Sequence, residues 1–102
     1  MPIQDPTRLL NAAIGTGAGN TYNLYETYVT FTFNKLIVGV FSALVVNYEG
    51  SLNGTDWFQL GTDNTLVAGP TFVVDKPCRY VRANVATFTG GTNVTVDMMP
   101  SK

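Results

Sequence analysis

The sequence contains no histidine and a single cysteine, Cys78. Histidine is the most frequent general base near neutral pH, so its absence removes Ser–His and Cys–His nucleophile pairs. A structural zinc site needs four cysteine or histidine ligands, which one cysteine cannot supply. We therefore expect no enzyme active site, no bound metal and no other cofactor. Cys78 itself is expected to be a small buried hydrophobe, in a protein made in a reducing cytoplasm.

Charged residues are also scarce, at 13% of the chain against about 25% in an average globular protein. Nucleic-acid binding requires a concentrated basic stripe and membrane-surface binding a polybasic run, and the six Lys and Arg residues form neither. Nucleic acid and membrane are therefore excluded as partners. A surface with so few charges is instead expected to be partly covered by a protein partner.

No segment reads as a targeting or membrane-spanning sequence. The N-terminus lacks the positive start and apolar run of a secretory signal. The longest apolar stretch, residues 36–46, is interrupted by Gly39 and Ser42 and is far shorter than the ~20 residues that cross a bilayer. We expect a soluble protein without a secretion signal.

What the sequence does have is apolar residues that alternate with polar ones. Residues 28–33 and 79–88 alternate with the period of two that is typical of half-buried strands. Asn53-Gly54 and Gly90-Gly91 are hairpin signals, and Asn34-Lys35 is a further predicted turn. The pattern predicts an all-β fold: an antiparallel β-sandwich, jelly-roll-like, with six to eight short strands.

The first twenty residues read differently, and we divide the chain into an N-terminal arm (1–20) and a β-sandwich domain (21–102). Residues 7–14 could form a helical turn or two, and the glycine-rich residues 15–20 resemble a flexible linker. Such an arm is either disordered or ordered on a neighbouring subunit. In the second case its apolar anchors are expected to be Ile3, Leu9, Leu10 and Ile14.

Trp57 follows the Asn53-Gly54 turn and leaves two interpretations open. An exposed tryptophan beside a hairpin can serve as a stacking platform for a sugar. Most tryptophans are instead largely buried, so Trp57 can equally pack in the core or cover the end of a sheet.

Three motifs resemble small bacteriophage virion proteins. Residues 48–57 (YEGSLNGTDW) match a "G-S-x-D/N-G-T-x-W" hairpin, residues 79–82 match an "R-Y-V-R" strand, and residues 90–96 (GGTNVTV) match a closing "G-G-T-x-V-T-V" hairpin. The same layout is similar to jelly-roll modules of the discoidin type, which bind sugars or lipids. The resemblance covers roughly residues 25–99.

The resemblance implies a structural virion protein, most like a capsid decoration (cement) protein that binds between capsomers and stabilises the shell. Its implied partners are the major capsid protein and further copies of itself, as a dimer or trimer. The arm, residues 1–20, is then expected to contact the capsid or a sister subunit. Its implied location is the capsid surface, after synthesis in the cytoplasm of a bacterial host. The alternative is a carbohydrate- or receptor-binding module of a phage tail or fibre, with Trp57 as the recognition residue.

Overall fold

The computed structural model describes residues 7–101, and all regular elements in that range are β-strands. The prediction of an all-β antiparallel sandwich is confirmed. This part of the chain has nine strands instead of the expected six to eight, and one of the nine is only two residues long. The strands are β1 (Thr7–Ala13), β2 (Gly17–Ala18), β3 (Tyr22–Tyr28), β4 (Thr30–Val38), β5 (Phe41–Ser51), β6 (Trp57–Asp63), β7 (Gly69–Val73), β8 (Cys78–Gly90) and β9 (Asn93–Ser101).

The strands form two sheets with jelly-roll topology. Sheet A has the order β1-β9-β4-β7, and sheet B has the order β2-β8-β5-β6, with β3 also pairing with β8. All of these pairs are antiparallel. The pairs nest around the β5–β6 hairpin: β4 pairs with β7, β2 and β3 pair with β8, and β1 pairs with β9. A long two-stranded ribbon has thus rolled up into a two-sheet jelly roll.

The core lies between the two sheets and is built by the alternation that the sequence predicted. The rings of Phe33 and Tyr48, from opposite sheets, stack with centroids 4.2 Å apart. Cys78 is buried and free, as expected. The other buried apolar side chains are Leu9, Leu10, Leu24, Phe31, Phe41, Leu44, Val46, Leu60, Val73, Val81, Ala83, Val85, Val94, Val96 and Met98.

The predicted hairpin at Asn53-Gly54 is confirmed, because β5 pairs with β6 across that turn. The chain also turns at Gly90-Gly91, and Gly54, Gly90 and Gly91 all have positive φ. The prediction of a hairpin at Gly90-Gly91 is wrong, however, because β8 lies in sheet B and β9 in sheet A, so this turn carries the chain from one sheet to the other. The predicted turn at Asn34-Lys35 is wrong. Both residues lie inside β4, which pairs without interruption with β9. The chain turns instead at Gly39, with φ of 92°. Lys35 looked like a turn residue because charged residues seldom lie in sandwich interiors.

The structure also corrects the expectation for the described part of the N-terminal segment. Residues 7–13 form a strand that pairs with β9, not a helical turn, and residues 17–18 pair with β8. They therefore extend one sheet each of the same sandwich. Ile3 lies outside the described residues.

Gly19 explains why the glycine-rich residues 15–20 do not behave as a linker. Its N–H donates to the carbonyl oxygen of Ala83 at 2.8 Å, and the N–H of Asn20 donates to that of Leu9 at 3.0 Å. The segment therefore ties β8 in one sheet to β1 in the other. A Cβ atom at Gly19 would overlap the carbonyl oxygen of Leu9 and the side chain of Leu10.

We expect Gly19→Ala to lower the free energy of unfolding by about 1–3 kcal/mol, the usual cost of overpacking a filled interior. Gly15→Ala is the matched control, because a Cβ atom there meets nothing within 4 Å. Urea denaturation of both variants measures the difference. Equal midpoints for the two would show that Gly19 has room to spare.

Candidate interaction surface

Most of the large apolar side chains that lie in strands and are exposed to solvent belong to sheet A, on its outer surface. We call this outer surface the Phe72 face and define it by the outward residues of β4, β7 and β9. Its exposed apolar members are Leu36, Val38, Phe72, Met99 and, just beyond the end of β7, Val74. Isolated exposed apolar residues are normal, but several on one sheet face mark an interaction site.

The centre of the Phe72 face is a row of three side chains on adjacent strands. Thr32 of β4 pairs with Phe72 on one side and with Met99 on the other. Phe72 is 71% exposed and Met99 38% exposed. On the Met99 side lies an open depression of about 280 Å³, lined by Thr32, Asn34, Asp97, Met98 and Met99. A projecting aromatic ring and a depression thus lie next to each other on one surface.

The charged side chains on the β9 side of the Phe72 face neutralise each other. The guanidinium of Arg8 donates to both carboxylate oxygens of Asp97, at 2.9 and 3.2 Å. The carboxylate is the main reason that the pKa of Arg8 is raised, so the pair stays ionised. An exposed pair of this kind adds little stability, but it leaves the face without net charge.

The outer surface of sheet B is different, and we call it the Trp57 face. The Arg82 guanidinium carbon lies 4.2 Å from the centroid of the Trp57 ring. The same guanidinium donates to Glu49 at 2.7 Å. Next to this stack, the Thr62 hydroxyl donates to Asn47 and accepts from the Gln59 amide. Its polar side chains thus bond largely to each other.

The candidate contact residues predicted from the sequence differ in how far they are exposed to solvent. Leu9 is fully buried and Leu10 is 5% exposed, so both serve the chain's own core and neither is free to anchor on a neighbour. Ile14 is 82% exposed just after β1. Trp57 is half-buried on an outer face, outside the core, and Arg82 covers one side of its ring. The Phe72 face was missed, although the alternation of Phe72 and Val74 was its signal.

A buried ion pair closes the end of the sandwich beside the β6–β7 loop. The Lys35 ammonium, with no exposed surface, donates to Asp63 at 2.9 Å and to the carbonyl and hydroxyl oxygens of Thr65 at 2.7 and 3.1 Å. All three of its N–H groups are therefore used. Burial alone would raise the pKa of Asp63, but hydrogen bonds from Lys35 and Thr65 outweigh it and hold that pKa below its ordinary value. The pair fixes the loop and leaves no group free for proton transfer.

The Tyr48 hydroxyl is a second buried polar group near this end. It is the one buried side-chain oxygen in the described chain that meets no hydrogen-bond partner. Burial, with a smaller contribution from the Asp63 charge, raises the pKa of Tyr48 and outweighs the opposing effect of the nearby Thr71 side chain, so the hydroxyl remains neutral.

Because an unsatisfied buried hydroxyl is costly, we expect Tyr48→Phe to leave stability unchanged or to raise it by up to about 1–2 kcal/mol. The ring and its stacking on Phe33 remain in the variant. Thermal unfolding checks this. A loss of more than about 1 kcal/mol would mean that the hydroxyl makes a hydrogen bond in solution.

The described residues offer little for other chemistry. Burial raises the pKa of the Cys78 thiol to about 11, so it stays protonated and unreactive at neutral pH. Among residues 7–101, no three histidine, cysteine or acidic side chains cluster in a way that could hold a metal ion. The same range contains no helix with the length and apolar character needed to cross a membrane.

The strand order and the two sheets define a small jelly-roll domain with an apolar outer face on one sheet and a polar outer face on the other. No family model matches the chain, and no curated protein is similar to it in sequence. Among solved structures, it is similar to the SPBc2 prophage-derived protein YomS, with a TM-score of 0.70 and 12% identity over 98% of this chain and 97% of that one. It is also similar to the C-terminal domain of a chitobiase from Bacteroides fragilis, with a TM-score of 0.55 and 18% identity. That match covers 79% of this chain and 61% of the chitobiase chain.

Proposed function

We propose that this chain is a structural protein of a bacteriophage particle, and that it decorates the capsid by binding between capsomers. It acts through contact surfaces and not through a reaction. Its partners are the major capsid protein and further copies of itself. The observation that carries the proposal is the Phe72 face, where apolar side chains on three strands are exposed in an otherwise well-packed sandwich.

The phage origin is supported by the end-to-end similarity to YomS. The two folds correspond over nearly the whole lengths of both chains, so this chain and that prophage-derived protein share the same jelly-roll fold. The low charge content also supports a role in binding other proteins, because a surface with few charges favours association.

The test is direct binding of the purified chain to purified capsids of the phage that encodes it, prepared without the chain. We expect saturable binding at regular sites, and capsids that withstand higher temperature or lower salt before they rupture. Gly15→Ala, which changes neither outer face, is the matched control for handling of the protein. Binding to tails alone, or no binding to either, would overturn the decoration role.

The second candidate is recognition of a carbohydrate by a tail or fibre module. The favouring observation is the Trp57–Arg82 stack on an outer face, rimmed by Gln59, Asn47 and Thr62. The likeness to the C-terminal domain of a chitobiase supports it at the level of the fold. Aromatic rings with polar neighbours are suited to sugar rings, but Arg82 already covers one side of this ring.

A glycan array distinguishes this second candidate. Trp57→Ala should abolish binding to a host-surface glycan, whereas Phe72→Ala on the opposite sheet should leave it intact. An array without any binding by the wild-type chain would remove the candidate.

A further inference from the structure

We propose that the Phe72 face is a two-fold self-pairing surface, in which Phe72 of each copy enters the depression beside Met99 of the other. This inference rests on the homo-oligomer in the proposed function and names the surface that forms it.

The first argument is the shape of the surface. Phe72 is 71% exposed on β7, so its ring projects from the sheet. The depression of about 280 Å³ lies between β4 and β9, on the other side of Thr32. A projection and a recess on the same face are what an isologous interface requires, because each copy must supply both halves of the contact.

The second argument is the position of the symmetry axis. In sheet A, β4 lies between β7 and β9. A two-fold axis that runs along β4 in the plane of contact exchanges the β7 side of one copy with the β9 side of the other. Phe72 of each copy then lies over the Thr32, Asn34 and Met99 depression of its partner. The two sheets stack face to face with aligned strands, which is a usual packing of sheets.

The third argument is size and charge. The molecule measures 38 × 30 × 19 Å, so its broad side, which contains the Phe72 face, is of the size needed for the ~800 Å² that each partner buries in a standard stable interface. The two charged groups beside the depression, Arg8 and Asp97, are already bonded to each other. Two identical faces can therefore meet without repulsion between like charges, which is the main obstacle to pairing of charged surfaces.

The test is sedimentation equilibrium of the purified chain in the absence of capsid. We expect a reversible dimer for the wild type and at least about 100-fold weaker dimerisation for Phe72→Ser, because each substitution removes the contact twice. Thr32→Lys, which fills the floor of the depression with a charge, should have a similar effect. Val40→Ser, at a residue that is 91% exposed outside this face, is the matched control and should dimerise like the wild type. Circular dichroism verifies that each variant is folded.

A cross-link tests the geometry of the pairing. In the proposed dimer, position 32 of each copy lies beside the two-fold axis and faces position 32 of the other across the spacing of about 10 Å between sheets packed face to face. That spacing is beyond the ~7 Å limit for a disulfide, so a short bis-maleimide is the suitable reagent. Thr32→Cys adds one accessible cysteine per chain, because Cys78 is buried, and a link between the new cysteines can form only between two copies. We expect rapid formation of a covalent dimer with Thr32→Cys, and much slower formation with Val40→Cys, which lies outside the Phe72 face.

A wild-type chain that remains monomeric up to about 1 mM would overturn the self-pairing, since any dimer would then be weaker than a millimolar Kd. So would a dimer that Phe72→Ser leaves unchanged. A monomer that binds capsid through Phe72 would overturn the pairing and leave the decoration role intact. A dimer that binds no capsid would do the reverse.

Discussion

Lys35→Met is expected to lower the free energy of unfolding by about 3–5 kcal/mol, the cost of leaving one member of a buried ion pair without its partner. Lys35 has no exposed surface, and Asp63 is 8% exposed. In the variant, the Asp63 carboxylate keeps only its bonds from the backbone and hydroxyl of Thr65. Urea denaturation at neutral pH measures the change.

The double variant Lys35→Met/Asp63→Leu is the informative control. Replacing both charges with apolar groups of similar size removes the uncompensated charge, so we expect it to recover a substantial part of the lost stability. A single variant as stable as the wild type would mean that water reaches the pair, and that the ion pair does not hold the end of the sandwich.

The same pair predicts an acid dependence. Because the pKa of Asp63 in the folded chain is lower than in the unfolded chain, its contribution is complete above the unfolded pKa of about 4. The contribution is lost as the pH falls further, through the folded pKa. We therefore expect the difference in stability between the wild type and Asp63→Asn to shrink below pH 4. A difference that is constant from pH 7 to pH 2 would contradict the lowered pKa.

Leu9→Ala should lower the free energy of unfolding by about 2–5 kcal/mol, the range for a fully buried leucine. Leu9 lies in β1, which pairs with β9 at the edge of sheet A, and it is 0% exposed. Ile14→Ala provides a matched control one residue beyond β1. Because Ile14 is 82% exposed, this substitution should lower the free energy of unfolding by less than about 0.5 kcal/mol.

This comparison decides what the N-terminal segment does. If Leu9→Ala and Ile14→Ala have equal, small effects, residues 7–13 do not belong to the core in solution, and the arm interpretation returns. The result for Leu9→Ala is also needed to interpret any deletion of residues 1–20. Such a deletion removes a strand of sheet A, so a loss of capsid binding by the deleted chain would reflect unfolding as well as a lost contact.

The fold was predictable from the sequence where the physical signal is local. Alternation in residues 79–88 reports one buried and one exposed side of a strand, and Val81, Ala83 and Val85 are indeed buried. The turns at Gly54 and Gly90-Gly91 follow from residues that accept positive φ. Both signals lie within a few neighbouring residues, so no knowledge of the rest of the chain is needed.

The errors arose where a distant partner changes the meaning of a residue. Lys35 can lie inside the sandwich only because Asp63 and Thr65 accept all of its hydrogen bonds. Both residues are about thirty positions later in the sequence, at the end of β6 and in the loop that follows it. Residues 7–13 read as a helical turn because the strand β9 that pairs with them is more than eighty residues away.

The candidate surface was hidden for the same reason. Phe72 and Met99 are remote in sequence, and only the pairing of both strands with β4 brings them to one row. Alternation in β7 and β9 marks which residues share a side of each strand. It does not tell which strands are neighbours, and therefore which apolar residues make a continuous surface.

The measurement that tests the account most directly is the number of copies of this chain in purified phage particles, obtained by quantitative gel densitometry against the major capsid protein. A decoration protein that binds between capsomers predicts hundreds of copies per particle, in a fixed ratio to the major capsid protein. A handful of copies per particle, or none, would contradict it.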